Sequence, residues 1–168
     1  MISGIKHDFP SPAGVNAPVK LIPINPSFGS IFSVDRPIQD MIGVMVLQRF
    51  FERFPNIRLV SIEQGSDWLV VLMGKLHKLW KRRPRIFAED PVDTVRRHLW
   101  VCPFWEDDIS ALAELIGPER VTFGSDWPHP EGVAEPVHFA KYLEGFSPAD
   151  VRKIMRENGA ELLELRRG

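Results

Sequence analysis

The chain has 168 residues, of which 44% are apolar and 26% charged, enough for one globular domain with a real core; its formal net charge of −1 gives no basic excess for nucleic acid and no polybasic block for anionic lipid. No apolar run approaches the roughly 18 residues of a membrane span. Cys102 is the single cysteine, which excludes an internal disulfide, and "MISGIKHDFPSPAG" lacks a signal-peptide pattern, so a cytoplasmic location is expected.

In chain order, "MISGIKHD" reads as a short strand that ends in His7. Residues 8–37 hold Pro10, Pro12, Pro18, Pro23, Pro26 and Pro37, a proline-rich loop with a short extended piece at "VKLIPI". From Asp35 the pattern turns helical, with Ile38, Ile42, Met45, Val46, Arg49 and Phe50 at helical intervals until Pro55 stops the run. A buried strand follows at 57–62, ending at Glu63 and Gly65. "DWLVVLMGKLHKLWKRR" is a helix whose basic end suits the C-terminal dipole. Asp90 caps the next helix and Pro91 takes its first position. The second strand, 99–103, is closed by Pro103. "WEDDISALAELIG" is a helix started by its acids and stopped by Gly117. The third strand is 120–124, and "SPADVRKIMRENGAELLEL" is a capped helix with a break expected at Asn158-Gly159.

Strands alternating with helices predict βαβ units and a parallel α/β sheet, one domain over 1–168 with its alternating core in 38–168. Each strand runs into polar residues: Glu63-Gln64, Glu106-Asp107 and Ser125-Asp126. Functional groups in parallel α/β folds gather at such C-terminal strand ends. Val60, Ile62, Val101 and Phe123 are expected on the inner face of the sheet.

Together, "ERFPNIRLVSIEQGSDWL", "WVCPFWEDDI" and "VTFGSDWPHPEG" resemble the amidohydrolase-related family. That family belongs to the metal-dependent amidohydrolase superfamily and includes aminocarboxymuconate-semialdehyde decarboxylase-like enzymes. "PADVRKIMRENGAELL" resembles its closing helix. The resemblance implies a (β/α)8 TIM-type barrel with a divalent metal in its mouth, zinc first and manganese or iron as alternatives. A full barrel takes about 200 residues or more, so three or four strands correspond to its C-terminal half. The family's first strand carries a His-x-His ligand pair. The histidines here are His7, His77, His98, His129 and His138, none two apart.

The resemblance makes Asp126 the last-strand aspartate that binds the metal or serves as general base; the alternative is an aspartate capping a turn. His129 lines the mouth and contacts substrate or orients Asp126; the alternative is a rigid Pro-His-Pro loop with its ring packing on Trp127. His7 corresponds to a metal-binding histidine at a mid-barrel strand end, or is a terminal residue without a role. Glu63 stands near where many relatives carry a proton-transferring histidine; its alternative is an ion pair with Arg58 or Lys75. Glu106, Asp107 and Asp108 are read as acids favouring a helix N-terminus. His77, His98 and His138 are read as outer-face residues and Cys102 as a small buried hydrophobe. Trp68, Trp100, Trp105 and Trp127 either wall a pocket or pack the core. The implied activity is a metal-dependent hydrolase or non-oxidative decarboxylase acting on a small molecule. Its alternatives are an inactive fragment, or a half-barrel module completed by a second copy or by a complementing N-terminal half, because a half sheet leaves edges and an inner face open.

Overall fold

The computed structural model describes residues 35–126 and 134–164. Helix α1, Asp35–Leu47, buries Ile42 and Val46, as its apolar spacing requires. The helix predicted to reach Pro55 breaks at Arg49, which adopts a left-handed φ of 56°. In an unbroken helix the buried face would continue through Phe50 and Arg53. The break instead turns Phe51, in the short α2 (Phe50–Arg53), into the core, where its ring stacks on His98 at 4.6 Å. Arg49 is held there by its guanidinium on Glu52.

Strand β1 is Leu59–Ser61, followed by α3 at Asp67–Arg82 and a 3-10 turn at Pro84–Ile86. Helix α4, Pro91–His98, starts as predicted: Pro91 is at its head and the Asp90 carboxylate accepts from Val92 N–H at 2.9 Å. Strand β2 is Leu99–Val101. Helix α5, Ile109–Ile116, is capped by Asp108, which accepts from Ala111 N–H at 2.9 Å, and ends at Gly117, whose φ of 89° suits glycine.

Leu59, Val60 and Ser61 pair in parallel with Leu99, Trp100 and Val101, and Val101 bridges in parallel to Val121. The order of the three segments is therefore their sequence order. The ladder is shorter than predicted. Pro103 has no N–H to contribute, and the Phe123 N–H donates to Ile154 O at 3.0 Å instead of to the sheet.

Register decides the faces. Leu99, Val101 and Val121 join the helix-packed core with Ile42, Leu69, Leu72, Val95, Leu112 and Ile116, and Phe123 packs against it. Val101 and Phe123 therefore do not belong to an open inner face as expected. Val60 and Ile62 do lie on the opposite face and are 39% and 61% exposed.

After a 3-10 segment at Pro136–Leu143 come α6 (Pro148–Arg152, capped by Ser147), a wide π turn at Lys153–Glu157 and α7 (Asn158–Leu162). The predicted break at Asn158-Gly159 does not occur. Asn158 keeps helical angles and is buried, its amide donating to Pro118 O at 2.8 Å and Val121 O at 2.7 Å. His98 corrects another expectation. It is buried, with Nδ1 donating to Ile57 O at 2.8 Å, whereas His77 and His138 are exposed as predicted. Among the described residues no helix is long and apolar enough to cross a membrane.

Candidate active site

The ends of all three strand segments open into one cleft of ≈ 460 Å³. The end of β1 supplies Ile62 and Glu63, and the turn after β2 supplies Cys102 to Glu106. The third segment supplies Gly124, Ser125 and Asp126, and Phe139 closes the side. Parallel strands in register bring these residues together although they are spread over nearly eighty positions of sequence.

Two of the lining residues, Glu63 and Asp126, are non-glycine residues in the left-handed region, at φ 57° and 54°. Aspartate tolerates that region; for glutamate it is less common, and such conformations cost about 1–3 kcal/mol and gather at functional sites. Each therefore leaves its strand by a strained turn at the rim of the cleft. The Arg58 partner offered for Glu63 is engaged elsewhere, reaching Glu164 at 2.6 Å and Glu161 O at 3.2 Å.

One wall is aromatic. Phe123 packs on Phe139 at 5.2 Å, Phe139 on Tyr142 at 5.8 Å, and Tyr142 on Trp105 at 5.5 Å. Among the described tryptophans only Trp105 lines the cleft. Trp68 is buried, with Nε1 donating to Gly65 O at 3.1 Å, and Trp100 is buried beneath the Arg120 guanidinium at 4.1 Å. The floor is tight, since a Cβ on Gly124 would stand 2.7 Å from Cys102 Sγ. Burial pushes the Cys102 thiol up to about 11 against a hydrogen bond with Thr122, so it is neutral at physiological pH in the cleft without a metal.

Sequence reasoning missed the latch behind Phe104. Asp107 accepts from Phe104 N–H at 3.0 Å and from the Ser66 hydroxyl, and its carboxyl is raised by burial. It ties the turn after β2 to the start of α3, where Gly65 (φ 59°) lies against the Phe104 ring. Three adjacent acids carry no signal that the middle one reaches a residue forty positions earlier. Phe139 was missed as well; the apolar spacing of Phe139 and Leu143, both buried, was its only signal.

His7, His129 and Trp127 lie outside the described residues. Among the described residues no three His, Cys, Asp or Glu come together as a metal-binding group. The carboxylates of Glu63, Glu106 and Asp126 line the cleft; they are hard oxygen donors of the kind a divalent ion takes, but the three do not gather at one point.

A sequence model of the amidohydrolase family matches residues 25–165. The chain belongs to the amidohydrolase family. Its fold follows that of an amidohydrolase from Mycobacterium avium subsp. paratuberculosis K-10, with a TM-score of 0.77 and 43% identity over 82% of this chain and 36% of that one. It is 24% identical over 149 residues to a 2-amino-3-carboxymuconate-6-semialdehyde decarboxylase from Dictyostelium discoideum, covering 83% of this chain and 41% of that protein. A dihydroxybenzoic acid decarboxylase from Polaromonas sp. JS666, solved with manganese and the inhibitor 2-nitroresorcinol, shares the fold at a TM-score of 0.56 and 20% identity, over 86% of this chain and 48% of that one. The chain thus spans between 36% and 48% of the length of these relatives. The chain's cleft lies at the C-terminal strand ends, the end at which parallel α/β folds gather functional groups.

Proposed function

We propose that the cleft is the C-terminal half of a (β/α)8-type active site for non-oxidative decarboxylation of a small carboxylic acid, with metal-dependent hydrolysis as the neighbouring chemistry. The observation that carries this reading is the pair Glu63 and Asp126, two strained strand-end carboxylates on one largely apolar cleft. Loss of CO2 breaks a C–C bond and leaves its electron pair on carbon, which must then receive a proton. Asp126 is the group proposed to hold and deliver that proton, and in hydrolysis to take one from water. Glu63 is its proposed second carboxylate. Ile62, Phe104, Trp105 and Phe139 would hold the substrate's apolar body and exclude water. A divalent metal, when bound, would polarise the substrate and stabilise developing negative charge. Asp126 is the described residue that would hold it, with His7 proposed to join it and His129 proposed to orient Asp126. Oxygen donors alone suit manganese; the His7 imidazole would bring zinc within range.

The test is CO2 release by the purified chain supplied with manganese or zinc, using dihydroxybenzoate as probe and 2-nitroresorcinol as inhibitor. Asp126→Asn is expected to lower the rate by about 10²–10⁴-fold while the chain still unfolds cooperatively. No turnover by the wild-type chain with either metal would sink the catalytic reading. The second reading, a half-barrel module completed by another chain, is favoured by one observation: Val60 and Ile62, apolar and on the face away from the helices, are 39% and 61% exposed.

A further inference from the structure

The net charge of −1 conceals a segregation. Residues 68–88 carry six Lys and Arg and no Asp or Glu, whereas residues 98–119 carry five Asp and Glu and no Lys or Arg. The first segment is α3 with its 3-10 turn; the second contains α5. Six cations are far more than the roughly half charge of a helix C-terminus would balance.

The two helices turn these charges outward. Helix α3 buries Trp68, Leu69, Leu72, Met73 and Leu76, which leaves Val71, Lys75, Lys78 and Arg82 exposed along one stripe at helical spacing. Helix α5 buries Ile109, Leu112, Ala113 and Ile116, which leaves Asp108, Ala111 and Glu114 on its outer stripe, extended by the exposed Glu119. From Lys75 to Arg82 is about 10 Å of helix axis and from Asp108 to Glu114 about 9 Å. The side-chain ion pairs among the described residues, Arg49–Glu52, Arg58–Glu164, Arg96–Asp93, Arg97–Glu89 and Lys153–Asp150, use no member of either stripe. Neither stripe is neutralised within the described chain.

We propose that α3 and α5 form a charge-matched interface between two copies of this chain, the basic stripe of each lying along the acidic stripe of the other. A two-fold axis makes that contact twice, as an isologous dimer requires. The exposed Val71 and Ala111 supply apolar contact within the same stripes. A nucleic acid or an anionic bilayer would match the basic stripe alone and leave the acidic one unused, so a second copy fits more of the surface. The interface uses no residue of the cleft.

Sedimentation of the full chain tests it. At about 0.05 M salt the wild type is expected to be a dimer, and at about 0.5 M its association should weaken at least tenfold, because exposed charges are then screened. Lys78→Glu with Arg82→Glu should give a monomer, and so should Glu114→Lys with Glu119→Lys. An equimolar mixture of these two variants should dimerise again, since in the mixed pair both contacts join opposite charges. A wild type that is monomeric at low salt, a dimer indifferent to salt, or a mixture that stays monomeric overturns the proposal. A monomer that instead binds heparin overturns it in favour of a polyanion.

Discussion

The side-chain amide of Asn158 donates to the carbonyl oxygen of Val121 at 2.7 Å and to that of Pro118 at 2.8 Å, fastening the closing helix to the segment that leads into Asp126. Both bonds lie on one buried side chain, so its removal takes this donor from Val121 O and leaves Pro118 O with only the long bond from Val121 N–H at 3.4 Å. Asn158→Ala is expected to lose about 1–3 kcal/mol, seen as a lower denaturant midpoint at unchanged slope. Asn158→Asp should lose more, because a carboxylate would face two carbonyl oxygens. Equal midpoints for wild type and both variants would remove Asn158 from the frame that holds the site.

Asn158 also marks where sequence reading stops. An Asn-Gly pair is a breaker by local rules, and two tertiary hydrogen bonds override it. His98 is similar: its carbonyl partner is on Ile57, forty-one positions away. Local devices were legible, since the Asp90 cap, Pro91 and Gly117 act within one helical turn, although the three acids before α5 did not show that Asp108 is the cap. So was the strand-end position of Glu63 and Asp126, which follows from strands alternating with helices. The faces were not. Val101 and Phe123 were assigned to the wrong side because the register of short strands depends on partners distant in sequence, and one residue of slip reverses every side chain. The Asp107–Ser66 latch was hidden for the same reason.

Gly124 should not tolerate a side chain. Its added Cβ would stand 2.7 Å from Cys102 Sγ, inside contact distance, on a packed floor. Gly124→Ala is expected to destabilise by about 1–3 kcal/mol. Cys102→Ala removes the obstructing sulfur, so the double variant should recover part of the loss in a double-mutant cycle. Additive losses would mean that some other neighbour excludes the methyl group.

Ser61 is buried in β1, and its hydroxyl has no hydrogen-bond partner among the described residues. An unsatisfied buried hydroxyl opposes folding, so Ser61→Ala should be neutral or stabilising by up to about 1 kcal/mol. A clear drop in thermal midpoint would show that the hydroxyl finds a partner in solution, one that the fold described above does not contain.

Cys102 gives a pH dependence with a definite sign. Burial raises its thiol from the ordinary 9.0 to about 11, so the folded chain holds this proton more tightly than the unfolded chain does. Its contribution to stability is therefore fully present below pH 9 and is lost as pH rises through about 11. The wild type should lose stability across that alkaline window faster than Cys102→Ala, while the two curves run parallel at neutral pH. The same proton governs reactivity, since only the thiolate attacks a disulfide reagent. Modification by such a reagent should be slow at neutral pH and accelerate toward pH 11. Rapid labelling of the folded chain at neutral pH, together with coincident stability curves, would mean that the cleft floor is open to water and that Cys102 is not held there as a neutral, buried thiol.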